Sequence, residues 1–268
     1  MQPVDIRFSG SVPANYDRYL VPLLFRPYAE LLASRAASLS PRRVLETAAG
    51  TGVVTGALAS TLPQSEIVAT DLNQAMLDVA AAGVSAPNVS FREADALQLP
   101  FEEASFDLVA CQFGIMFYPD KVAGNAEARR VLREGGHYLL AIWNHLDKNP
   151  LSELAHETMG RLFPDNPPMF MKRGPFSYGD TAQIESDLRA AGFSQVEIET
   201  VELMSRSPSA HDAASGLTYG SPMGVELAEY GDGALDRVFA EFSEGARRWE
   251  GRDGFEAPMS AHIVTATK

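Results

Sequence analysis

The residues of this chain that could do chemistry sit at the ends of short apolar runs. In RVLETAAGTGVVTGALA, residues 43–59, Val44 and Leu45 read as a buried strand. A carboxylate, Glu46, follows, then Ala48, Gly50, Thr51 and Gly52, and residues 53–59 continue as a helix. Glycines at a strand-to-helix turn let backbone approach a ligand closely, and the first N–H groups of the helix lack partners inside it. That geometry suits a nucleotide-like cofactor. Asp71 closes a second run, EIVAT (66–70), roughly 20 residues beyond the glycines, where an acid can accept bonds from ribose hydroxyls. Its structural alternative is to cap a helix over residues 73–82. Leu72 adjoins it, and Met76, one turn into that helix, is placed to pack on an adenine face.

Details separate the possible cofactors. A dinucleotide fingerprint wants G-x-G-x-x-G. Here Ala48 takes the first position and Thr55 stands where the next glycine is expected. Glu46 puts negative charge where a pyrophosphate would be repelled, whereas a cofactor with a cationic sulfonium and an amino acid tail tolerates it. Position for position, E-T-A-A-G-T-G resembles motif I of the class I S-adenosylmethionine (SAM) methyltransferases, with Ala48 narrowing the room for the methionyl moiety.

Further along, residues 89–94 read as a third strand ending in Asp95-Ala96, then LQLPFEEASFDLV. D-A-x-x-L-P-F followed by F-D-L-V resembles the ubiquinone-biosynthesis-like methyltransferases, as does R-V-L-R-E-G-G before the fifth strand. The resemblance implies that Asp95 faces the adenine amino group with help from the Ala96 backbone. Residues 106–112 form the fourth strand. Ligands bind at the carboxyl ends of strands in open parallel sheets, so Gln112, Phe113, Gly114 and Phe117 are pocket candidates. N-Y-D-R-Y ahead of motif I resembles the N-terminal helix that covers the active site in small-molecule methyltransferases, which makes Tyr16 and Tyr19 candidates beside core packing. His145, at the end of a fifth strand over 137–143, is either a general base or a surface histidine.

Composition narrows the classes further. The chain has 268 residues, 46% apolar and 21% charged, with formal net charge −13. Such acidity disfavours nucleic acid, because the clustered arginines (Arg42/Arg43, Arg129/Arg130, Arg247/Arg248) read as solvated surface beside acids. One cysteine, Cys111, excludes an internal disulfide and reads as a core residue. The start, MQPVDIRFSG, lacks a leader pattern, no run reaches the length of a membrane span, and no H-x-x-x-H, C-x-x-C or carboxylate cluster demands a metal.

The elements that must position these residues follow from periodicity. Residues 14–39 read as one or two helices broken or kinked at Pro22 and Pro27. Residues 121–134 read as a helix closed by Gly135-Gly136, and Asp180 as the N-cap of a helix over 181–191 with Gly192 after it. Residues 196–204 alternate as a sixth strand near the sheet edge, and AHIVTATK is the last strand, which the resemblance places antiparallel between the fifth and sixth. The expected fold is α/β: a Rossmann-like, seven-stranded, mostly parallel sheet with helices on both faces and helical lid insertions. One methyltransferase domain then comprises N-terminal covering helices (1–40), a SAM-binding core (41–145), lid insertions (146–179 and 205–253) and the remaining core (180–204 and 254–268). Asn166-Pro167-Pro168 reads as a proline-rich turn. Met159, Met169, Met171, Met204 and Met223, in or beside the insertions, serve loose packing or substrate contact equally well.

The resemblance implies a SAM-dependent methyltransferase moving a methyl group to an O, N or C nucleophile of a small molecule. A cytoplasmic monomer or homodimer is expected, without metal, nucleic acid or membrane. A SAM-binding protein without methyl transfer and a nicotinamide-dependent oxidoreductase are the readings from other classes.

Overall fold

Parallel strands buried on both faces need near-continuous apolar runs, and the runs around the glycine turn meet that need. The computed structural model describes residues 12–268; the start of the chain, on which the leader expectation rests, lies outside the described residues. Two compact units are present: residues 28–143, 178–201 and 261–268 form one, and residues 12–27, 144–177 and 202–260 the other. We call them the sheet unit and the insertion unit.

In the sheet unit the helix α2 (Arg26–Leu39) leads into β1 (Arg43–Thr47), then α3 (Val53–Thr61), β2 (Glu66–Asp71), α4 (Gln74–Gly83), β3 (Val89–Glu93), β4 (Phe106–Gln112), α5 (Lys121–Val131) and β5 (Leu132–Trp143). Helix α8 (Thr181–Ala190) and strands β6 (Gln195–Ser207) and β8 (Gly254–Thr267) complete the order β3-β2-β1-β4-β5-β8-β6. Strands β1 to β5 pair in parallel and β8 runs antiparallel to β5, Tyr138 opposite Ala266. Val44 lies opposite both Ile67 and Leu108, all fully buried, so β1 holds the centre. Asp180 caps α8 through the amides of Ala182 and Gln183, and Gly192 follows at φ +96°.

The insertion unit carries α1 (Val12–Asn15), α6 (Pro150–Leu162), α7 (Phe170–Arg173), α9 (Ala210–Tyr219), α10 (Pro222–Leu227) and α11 (Ala234–Ala246). Its two-residue strand β7 (Glu250–Gly251) pairs with the start of β8. Asn149 is buried at its entry, donating to the carbonyls of Asn144, His145 and Ser260 and accepting from the Ser260 amide. Met159, Met171 and Met223 are fully buried, so their role is packing; Met169 and Met204 stay partly exposed.

Several expectations need correction. Pro22 does not break its helix: Tyr16–Phe25 winds as a π-helix, with the Arg26 amide donating to the Val21 carbonyl. The wider turn relieves the clash a proline makes with the carbonyl four residues back. Pro27 falls where the π-helix passes directly into α2, and the run stays helical through it. Helix α5 ends at Val131, and β5 begins at Leu132, opposite Phe106. Gly135-Gly136 therefore lies within a strand. A Cβ on Gly136 would come 2.9 Å from the Arg133 carbonyl oxygen, so close backbone approach requires it. The last strand starts at Gly254 because the hairpin with β7 extends it.

The arginine pairs are not all solvated either. Arg130 donates to the Leu99 and Phe101 carbonyls and pairs with Glu127, pinning the loop after β3. Arg129 holds the Gly192 carbonyl, and Arg43 lies over Phe106. Arg247 and Arg248 keep the exposed role expected of them.

Candidate cofactor site

The chain leaves β1 through a turn in which Ala48 (φ +54°), Gly50 (φ +57°) and Gly52 (φ +85°) are left-handed. Two glycines adopt this freely, whereas Ala48 is held there at a cost of about 1–2 kcal/mol. Neighbours over-determine the turn: the Ala49 amide donates to the Thr70 carbonyl, and the Gly50 amide to Asp71 Oδ2 at 2.8 Å. Gly52 opens α3, and a Cβ there would approach Ala80 of α4 to 2.9 Å. The N-cap residue of α3, Gly52, has no side chain to cap it, and the Glu46 carboxyl takes the Thr55 amide of its first turn. Beside that N-terminus the Thr51 hydroxyl is buried and has no hydrogen-bond partner among the described residues.

Asp71 ends β2 with Oδ2 on Gly50 and Oδ1 accepting from the Asn73 amide at 2.9 Å. The cap of α4 is Asn73, which accepts from the Ala75 amide, so Asp71 braces the glycine turn instead. Burial raises its pKa, with the backbone bonds from Asn73 and Gly50 opposing. Next to it Leu72 leaves 58% of its surface exposed, an apolar side chain beside a carboxylate. Met76, by contrast, is buried in the packing of α4.

Asp95 is exposed and folds its own loop, Oδ1 accepting from the Leu97 amide, with Ala96 half-buried beside it. It stands one residue past the bond from the Ala94 amide to the Asp71 carbonyl, so the ends of β2 and β3 adjoin. At the end of β4, Gln112 and Phe117 are half-buried. Phe113 is buried at φ +54°, stacked face to face on Trp143 (3.8 Å) and edge-on to Tyr28. Its ring belongs to an aromatic core rather than to an open pocket wall. Gly114 sits so close that a Cβ would fall 2.4 Å from the Ala48 Cβ. The β1 and β4 exit loops are thus packed together. Cys111 is fully buried with its thiol 3.6 Å from the Tyr118 hydroxyl, and burial pushes its pKa up.

Glu46 lies beneath the turn, 2% exposed, and Thr55 Oγ1 donates to its Oε2 at 2.6 Å. Burial, with Asp71 adding to it, pushes the carboxyl up to about 8. Thr55 is the residue that sequence reasoning missed, having weighed it as a failed glycine. The pairing crosses from a strand to the following helix, which no local period signals.

The three remaining candidates belong to the insertion unit. Tyr16 stacks on Phe25, Arg18 lies over the Tyr19 ring, and His145 is exposed, its amide donating to Asn144 Oδ1 and its carbonyl accepting from Asn149 and Lys148. The same unit holds a cleft of about 410 Å³ lined by Asn166, Arg173, Glu226 and Tyr230 among others. Among the described residues no helix is long and apolar enough to cross a membrane.

A glycine turn into a helix, an acid ending β2 and a last strand reversed beside β5 make up an open α/β fold with a nucleotide-like turn at its strand ends. Residues 44–136 match the profile of a methyltransferase domain. A demethylmenaquinone methyltransferase of Deinococcus radiodurans is 42% identical over 136 residues, 49% of this chain and 56% of that protein. The chain therefore spans just over half the length of that relative. The demethylmenaquinone methyltransferase of Thermobifida fusca is 32% identical over 165 residues, 57% of this chain and 69% of its own. A Thermotoga maritima structure described as a SAM-dependent methyltransferase, possible histamine N-methyltransferase, superposes over 100% of both chains with TM-score 0.58 at 19% identity.

The chain belongs to the class I SAM-dependent methyltransferases of the ubiquinone/menaquinone-biosynthesis type. Its relatives are named as methyltransferases, and the oxidoreductase reading falls away.

Proposed function

We propose that SAM is held by the turn from Glu46 to Gly52, with Asp71, Leu72, Asp95, Ala96, Gln112 and Phe117 completing the cradle. The observation that carries this is the glycine turn braced on Asp71, with a buried Thr51 hydroxyl at the start of α3 that has no hydrogen-bond partner among the described residues. The first N–H groups of a helix and a hydroxyl suit the cofactor's carboxylate. The Asp71 carboxylate accepts backbone bonds from Gly50, Asn73 and Leu72, and its remaining lone pair can serve a ribose hydroxyl. Leu72 offers an apolar face to adenine, and the exposed Asp95 can accept from its amino group.

Bound SAM supplies an activated methyl group on a good leaving group. What this chain must add is alignment of the acceptor and exclusion of water. Among the described residues the His145 ring has no hydrogen-bond partner, unlike a histidine poised as a base, so we assign the rate to proximity. The insertions select the acceptor, a small molecule with an O, N or C nucleophile. The relatives named for demethylmenaquinone make a quinol the first acceptor to try. We carry forward a cytoplasmic enzyme, as monomer or homodimer.

The test is thermal unfolding with SAM, S-adenosylhomocysteine or NADP, followed by a screen of quinol, phenol, amine and carboxylate acceptors for S-adenosylhomocysteine release. Both adenosyl ligands should raise Tm and NADP should not. Asp71→Ala should weaken SAM by about tenfold to a hundredfold through lost charge-assisted bonds. Unchanged affinity in a folded Asp71 variant would remove it from the cradle.

A further inference from the structure

Glu46, at the start of the turn assigned to SAM, forms a buried pair with Thr55, a residue the cradle just described does not include. Strand β2 sets Ala69 opposite Glu46 and ends in Asp71; β4 sets Ala110 opposite it; α3 brings the Thr55 hydroxyl and, with it, a bond from the Thr55 backbone amide. Asp71 is the charge acting on it, and no cation among the described residues answers either acid. A carboxyl so placed keeps its proton near neutral pH, since an isolated buried charge is far costlier than the neutral acid. SAM carries a sulfonium and an ammonium, and placing either near two acids reverses that balance.

We propose that Thr55 is a positioning residue that holds Glu46 ready to ionise, so that SAM binding drives the Glu46 proton into solvent and the site selects a cationic cofactor. The proposal rests on the assignment of the turn from Glu46 to Gly52 to SAM. A hydroxyl bond to an ionised carboxylate is stronger than one to the neutral acid, so Thr55 lowers the cost of ionisation. The pair does not meet the acceptor. After methyl transfer the sulfonium charge is gone, so S-adenosylhomocysteine should drive out a smaller share of the proton than SAM.

Titration calorimetry of the full chain between pH 6 and 9, in buffers of different ionisation enthalpy, counts the protons. The amino group of SAM itself titrates at about 8, so Glu46→Gln sets the baseline. Above that baseline the wild type should release about one proton per SAM at pH 7 and little at pH 9. Thr55→Val should weaken SAM by about tenfold at pH 7 and progressively less toward pH 9. Thr55→Ser should restore both affinity and profile. Equal proton release by wild type and Glu46→Gln would overturn the proposal, as would a Thr55→Val loss independent of pH. If the wild type binds neither adenosyl ligand at any pH, the assignment of the turn falls first and the proposal with it.

Discussion

Ala48 is the residue at which local chemistry and the fold disagree most openly. It sits at φ +54°, where a glycine would be free, and it meets Gly114 of the β4 exit loop. Ala48→Gly should stabilise the chain by about 0.5–1 kcal/mol, the relief of a left-handed alanine less the added freedom of the unfolded chain. Urea unfolding checks this, and an unchanged midpoint would mean that the turn is not strained. The His145 ring, without a hydrogen-bond partner among the described residues, gives a second residue-scale expectation. His145→Ala should lower kcat by less than about tenfold, since a positioned base is typically worth 10²–10⁴-fold. A pH profile of kcat reads it: a loss of three orders with disappearance of one limb of the profile would make His145 catalytic.

At the scale of elements, Glu226 joins the two insertions. It is buried on α10, accepts from the Met169 and Phe170 amides at the start of α7, and pairs with Arg173 at 2.9 Å. Removing one partner of a mostly buried pair leaves an uncompensated charge and two open amides. Glu226→Ala should therefore cost about 3 kcal/mol, and hydrogen exchange should rise first over residues 163–176. Loss spread evenly over the sheet unit would contradict this local role. Because the cleft beside Glu226 shares Arg173 and Tyr230, acceptor binding should protect the same residues in the wild type.

For the whole molecule, stability should fall as pH rises from acid to mildly alkaline. Glu46 keeps its proton in the folded chain up to about 8, whereas its unfolded value is 4.5. Between these values the folded state binds the extra proton, so each step up in pH favours unfolding. Asp71, also raised, acts in the same sense. Net charge −13 adds general self-repulsion, which salt screens. Tm of the ligand-free chain should drop from pH 5.5 to 8.5, and Glu46→Gln should flatten the drop at constant salt. A drop of equal size in that variant would assign the effect to surface charge.

The sequence by itself determined the elements and the family. Apolar runs of strand length, glycines after β1, Asp71 at the end of β2, the Asp95 stretch and F-D-L-V are all local patterns, each set by residues within one element or turn. Asp180 and Gly192 were legible as helix ends for the same reason. What needed the tertiary structure were pairings between distant elements. Thr55 meets Glu46 only because α3 folds back over β1. Arg130 left the solvated face because the Leu99 and Phe101 carbonyls came to it. Phe113 turned into an aromatic core because Trp143, from β5, lies parallel to its ring. Gly135-Gly136 joined a strand because Leu132 found a partner in Phe106. Local propensity sets which element a residue enters, but its neighbours across the sheet, absent from any sequence window, set what its side chain does there.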